Sequence, residues 1–66
     1  MLKILLRKAG TAFYMNSGDW TEDVKKAHAF NTGSEVIDFA VKENLNGIEV
    51  FYDFGNPRYS FSIGVR

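Results

Sequence analysis

Apolar residues recur at two different periods along this chain, and the change of period divides it. Between positions 33 and 45 the spacing is helical. Val36, Ile37, Ala40, Val41 and Leu45 line one broad face, and Glu35, Asp38, Lys42 and Glu43 take the opposite side. Phe39 falls at the margin of the apolar face, where it can pack sideways. Thr32 is suited to cap the first turn through its hydroxyl, and Glu35 is placed to reach back to the N–H of Thr32, so Thr-Gly-Ser-Glu reads as a capping box. Leu45-Asn46-Gly47 is a stop signal, because Asn and Gly tolerate the left-handed conformation that closes a helix. The pattern predicts a helix over 33–45 whose stripe packs as half of a core.

On either side of this helix the period is two. Residues 2–8, LKILLRK, alternate with Leu2, Ile4 and Leu6 on one face. Gly10-Thr11 suits a two-residue type II′ turn, which wants Gly at its first central position. That turn sets a register in which Ala9 faces Ala12, Lys8 faces Phe13, Arg7 faces Tyr14 and Leu6 faces Met15. Directly paired residues share a face. Phe13 and Met15 are therefore expected beside Ile4 and Leu6 on the core side, and Leu5, Arg7, Tyr14 and Asn16 on the other.

The second hairpin reads more strongly. Ile48–Phe54 and Tyr59–Val65 are joined by Gly55-Asn56-Pro57-Arg58, a turn in which Pro57 supplies a fixed φ. This loop pairs Phe54 with Tyr59, Tyr52 with Phe61, Val50 with Ile63 and Ile48 with Val65. One register thus gathers every large residue except Phe51 on one face, and a slip by one position would scatter them.

Between the first hairpin and the helix, Ser17-Gly18-Asp19 reads as a loop. Thr21 can then cap a short helical stretch near 21–28, with Glu22 and Asp23 at its positive end and Lys25, Lys26 and His28 towards its negative end. Trp20, Val24 and Ala27 share a face of that stretch. The sum is an α+β domain spanning 1–66: a four-stranded antiparallel sheet in ββ-α-ββ order, with the main helix 33–45 on one face. Four strands make a sheet about 19 Å wide, and one helix is about 10 Å across. The helix covers about half of such a face, and the Trp20–Phe30 segment, anchored by Trp20 and Phe30, is the expected cover for the rest.

Composition narrows the chemistry. The 66 residues allow one small core, and eight basic and eight acidic side chains cancel. Cysteine is absent and histidine occurs once, so neither a disulfide nor a zinc site is expected, and no cofactor is expected. Six Phe, three Tyr and one Trp must carry the packing. The apolar patch of the first ten residues is broken by Lys3 and Arg7 and is too short for a signal peptide or a membrane span. The expectation is a cytoplasmic protein without a membrane segment. His28 has no nucleophile beside it, and Glu22 and Asp23 do not share its helical face. Asp19, Glu22 and Asp23 lack the alternation of a calcium loop. No catalytic constellation is legible, and the chain is expected not to be an enzyme.

Trp20, Ala27-x-x-Phe30, Thr32-x-Ser34-Glu35, Phe39-Ala40 and the strand IEVFYDF occur in an order that resembles small bacterial and phage proteins of unknown function. The likeness covers roughly residues 12–54 and departs at Val36, where the pattern carries Ala. It implies a sandwich of sheet and helix and no activity.

The surface expected to act is the sheet face away from the helix. Leu5, Tyr14 and Phe51 are placed there as an apolar centre, with Lys3, Arg7, Glu49 and Asp53 around it. An apolar centre with a polar rim is how protein interfaces are built, and charges of both signs allow self-association across a two-fold axis. The expectation is a small interaction or regulatory module, acting through this face or an edge strand, with a homodimer or another protein as partner. The alternative is a single-stranded nucleic-acid platform, on which bases stack on sheet aromatics. Glu49 and Asp53 beside Phe51 argue against it, because they repel phosphates.

Overall fold

The computed structural model describes residues 2–8, 10–16, 18–56 and 58–64, with Asn16 described in its backbone only. The expected Ala9–Ala12 and Ile48–Val65 pairs, the loop position at Ser17, the turn role of Pro57 and the facing of Asn16 lie outside the described residues. The strands are β1 (Lys3–Lys8), β2 (Phe13–Asn16), β3 (Asp19–Thr21), β4 (Ile48–Asp53) and β5 (Phe61–Gly64); α1 (Gly33–Lys42) lies between β3 and β4. The strands form one open antiparallel sheet in the order β3-β2-β1-β4-β5. The helix and the antiparallel sheet are α+β features anticipated from the pattern, but among the described residues the sheet has five strands and not four. The added strand is the three-residue β3, too short to leave an alternation signal.

The helix forms for the expected reasons. Thr32 Oγ1 accepts the Glu35 N–H at 3.1 Å, and Glu35 Oε1 accepts the N–H of Asn31, one residue before the expected Thr32, at 3.1 Å. The helix ends sooner than the pattern suggested. Asn44 adopts φ 55°, its N–H donates to Val41 O at 3.1 Å, and the Leu45 N–H donates to Ala40 O at 2.8 Å. These two bonds are a Schellman closure, which returns Leu45 to the core and relieves Asn46-Gly47 of the stop.

Leu6, Val36, Ala40, Ile48 and Val50 are the buried centre between α1 and the sheet. Gly33 allows the start of α1 to sit directly on β4, since a Cβ there would come within 2.6 Å of the Tyr52 hydroxyl.

The first hairpin departs from its expected register. Lys8 N–H donates to Ala12 O at 2.7 Å and Arg7 pairs with Phe13, so three residues and not two lie within the turn. One extra residue exchanges the faces of Phe13 and Tyr14. Tyr14 therefore joins Leu6 on the helix side, and Phe13 goes to the helix-free side. The second hairpin keeps its expected register, with Tyr52 opposite Phe61 and Val50 opposite Ile63.

The segment after β3 crosses from one face to the other. Asp23 Oδ1 accepts the Lys25 N–H at 2.9 Å and caps a single 3-10 turn, Val24–Lys26, where one or two helical turns capped by Thr21 were expected. Val24 lies beside Phe13 and Phe51 on the helix-free side. The chain then bonds into the sheet, His28 N–H to Tyr14 O at 2.9 Å and Phe30 N–H to Ile4 O at 2.7 Å, before α1 begins on the other side. Trp20 and Phe30, expected to be buried anchors, are half-buried against the core. Among the described residues no helix is long and apolar enough to cross a membrane.

Candidate interaction surfaces

The helix-free face does not carry the open apolar centre that alternation suggested. Leu5 is 0% exposed and Phe13 9%. The cause is geometric. β2 and β4 flank β1 and stand about 9.6 Å apart, yet the Phe13 and Phe51 rings meet edge to face with centroids 5.2 Å apart. They can do so only by leaning towards each other over β1, and Leu5, directly opposite Phe51, lies beneath them.

Arg7 closes the same cluster. Its guanidinium lies 4.8 Å from the Phe51 ring centroid and 5.9 Å from that of Phe13. It donates through Nε to Glu49 Oε1 at 2.7 Å and through Nη2 to Ser62 Oγ at 3.1 Å. A half-buried Arg–carboxylate pair over two aromatic rings ties three strands together. Lys3 stands directly across from Asp53, whose Oδ1 accepts the Gly55 N–H at 2.8 Å and the Ser60 hydroxyl at 3.3 Å. Of the seven residues expected to form one surface, Lys3, Arg7, Glu49, Phe51 and Asp53 share the helix-free face, Leu5 is buried within it, and Tyr14 is on the other side of the sheet. What remains open there is a groove of about 480 Å³ floored by Phe13 and Phe51 and edged by Val24, Lys3, Lys25 and Asp53.

On the helix side the β2–β3 flank carries an aromatic cluster of its own. Tyr14 packs against Phe39 with centroids 4.7 Å apart, against Trp20 at 5.8 Å and against Phe30 at 6.4 Å. Lys8 Nζ lies 4.6 Å from the Trp20 ring centroid. A second groove, about 490 Å³, runs beside Tyr14, Trp20, Phe39 and Leu45. His28 stands with its ring edge to Tyr14 and Phe30 and is exposed. Among the described residues no three His, Cys, Asp or Glu side chains gather where they could hold a metal.

The β5 flank is different. α1 lies over β1 and β4, and its Phe39 edge faces β2. At 100° per residue, Ile37 and Val41 then face β5. Phe61 and Ile63, paired with Tyr52 and Val50, point to the same side of the sheet. Among the described residues these four are only partly covered. Ile37 is 38% exposed, Val41 55%, Phe61 48% and Ile63 51%. Phe61 stacks on Tyr52 with centroids 5.0 Å apart and on the exposed Phe54 at 6.2 Å, which continues the strip along the sheet end. Among the described residues no strand pairs with the outer edge of β5.

The pattern had assigned these residues to the core. A signal against that was present: the register expected from the pattern put eight large residues of the second hairpin on one face, and one helix covers about half of such a face.

Comparison of the chain with known protein families, with curated proteins and with solved structures found no match.

Proposed function

We propose that this chain is a small non-enzymatic interaction module whose binding surface is the β5 edge and the apolar strip beside it. The observation that carries the reading is the joint exposure of Ile37, Val41, Phe61 and Ile63 next to a strand edge that pairs with nothing among the described residues. Single exposed apolar residues are ordinary, but a contiguous strip in a neutral 66-residue chain costs solubility and calls for a partner. Strand addition at such an edge gains affinity from backbone hydrogen bonds and selectivity from alternate side chains.

The helix-free face supports a weaker version of the same idea. Its apolar centre is roofed and its Arg7 and Glu49 satisfy each other. The nucleic-acid alternative loses support for the same reason, because the Arg7 guanidinium occupies the Phe51 ring face on which a base would stack.

Affinity capture with the intact chain tests the reading. A discrete partner, whether a second copy or another protein, is expected on the wild type and on Lys25→Glu, and is expected to be lost on Val41→Glu. Retention of the same partner by all three proteins contradicts it.

A further inference from the structure

The strip and the edge together constrain what fits them. We propose that β5 pairs antiparallel with β5 of a second copy of this chain, joining two five-stranded sheets into one of ten strands with both α1 helices on the same face. This deepens the interaction reading above and rests on it.

Four observations favour a second copy. The first is charge. From Tyr59 to Gly64 the chain reads YSFSIG, with no charged residue and no Pro. Edge strands that must stay single are usually guarded by Lys, Pro or a bulge, and β5 pairs regularly with β4 with none of these. Identical strands of this composition meet without like-charge repulsion.

The second is symmetry. An antiparallel strand pair has its two-fold axis perpendicular to the sheet, so it keeps the faces in common and brings strip against strip. Parallel pairing about an axis along the strands would turn one sheet over and set the strip beside the polar Ser62 face.

The third is spacing. α1 lies over β1 and β4, so pairing two β5 strands sets the helix axes about 19 Å apart at about 4.8 Å per strand. Helices with side chains are about 10–12 Å across, which leaves a channel of about 8 Å. Phe61 and Ile63 of both copies rise from its floor, and Ile37 and Val41 enter from its walls, so the channel is filled by the residues now half-exposed.

The fourth is area. Each of these half-exposed side chains leaves on the order of 100 Å² open, giving an apolar strip on the order of 500 Å² with Phe54 included. Stable interfaces bury about 800 Å² per partner. The strip with its β5 backbone edge and rim approaches that figure, as befits a modest dimer and not an obligate one.

Light scattering on a sizing column, from low micromolar to near-millimolar protein, tests this with the wild type, Ile63→Lys and Lys25→Glu. Lys25 edges the groove on the opposite face and serves as the control. The expected result is a mass that doubles with concentration for the wild type and Lys25→Glu, while Ile63→Lys keeps the monomer mass and an unchanged far-ultraviolet dichroism. Val41→Glu, on the exposed flank of α1, takes the place of Ile63→Lys if that variant does not fold. A wild type that stays monomeric throughout, or doubling in all variants, overturns the pairing. A monomer still captured by another protein in a Val41-dependent way overturns the second copy alone, whereas a monomer whose capture ignores Val41→Glu overturns the interaction reading as well.

Discussion

The two faces of this sheet are built from the same materials and end in opposite states. The helix-free face carries Leu5, Phe13, Phe51 and Arg7 and has no helix, yet Leu5 and Phe13 are buried there and only a groove beside the two rings stays open. The helix face at β5 carries Phe61, Ile63, Ile37 and Val41 and adjoins a helix, yet it is open. The difference is position in the strand order. Leu5 stands on the central strand, where aromatic rings from both neighbours can lean over it. Phe61 and Ile63 stand on an edge strand with a neighbour on one side only. A five-stranded sheet is about 24 Å wide, and a helix about 10 Å across over its middle leaves both flanks to other cover. The β2 flank receives Tyr14, Trp20, Phe30 and Phe39. Among the described residues the β5 flank receives no comparable cover.

That contrast can be broken from its closed side first. Leu5→Ala removes a fully buried side chain from beneath two rings, and the expected cost is about 2–4 kcal/mol of unfolding free energy. In a domain of this size such a loss leaves a marginal fold. Urea unfolding monitored by dichroism measures it, and a cost under 1 kcal/mol would mean that the rings do not roof Leu5. Arg7→Ala is next, at about 1–3 kcal/mol, because it removes the charged hydrogen bond to Glu49 together with the guanidinium that lies over the Phe51 ring. A double-mutant cycle with Glu49→Gln separates the two contributions. Coupling near zero would assign the effect to the ring contacts and the Ser62 hydrogen bond and not to the charge on Glu49.

Gly33→Ala sharpens the other side of the comparison. Its methyl group meets the Tyr52 hydroxyl, and the Tyr52 ring is held by its stack on Phe61. The expected cost is about 1 kcal/mol. Tyr52→Phe should restore most of it, since the clash is with the oxygen. Absence of rescue would place the cost in the helix start and not in this contact. Smallest of all is Ile63→Ser, expected within about 0.5 kcal/mol of the wild type in dilute solution, because the side chain is already half in water. A cost as large as that of Leu5→Ala would erase the distinction between the two faces.

Much of this was legible in the sequence. Thr32 and Glu35 announced the helix start, and the eight-residue agreement of the second hairpin set its register through Tyr52–Phe61 and Val50–Ile63. The first hairpin was not legible to the same degree. Gly10 marks a turn with either two or three residues inside it, and the choice decides whether Phe13 or Tyr14 faces the helix. Both are aromatic, so alternation could not arbitrate. β3 was hidden because three residues give no period. The strip at β5 was hidden for a different reason. Hydrophobic alternation says which side chains share a face, but not whether anything covers them, and that depends on where one helix lies across the width of the sheet.

The central claim is that the helix-free face is closed and the β5 strip is open until a partner covers it. The most direct test is the relaxation of methyl protons by a soluble paramagnetic agent, read on Leu5 and Ile63 of the wild type in dilute solution and again on concentration. Strong relaxation of the Ile63 methyls and little of Leu5 is expected when dilute, with Ile63 becoming protected as concentration rises. Equal relaxation of the two residues, or protection of Ile63 in a protein shown to be monomeric, would contradict it.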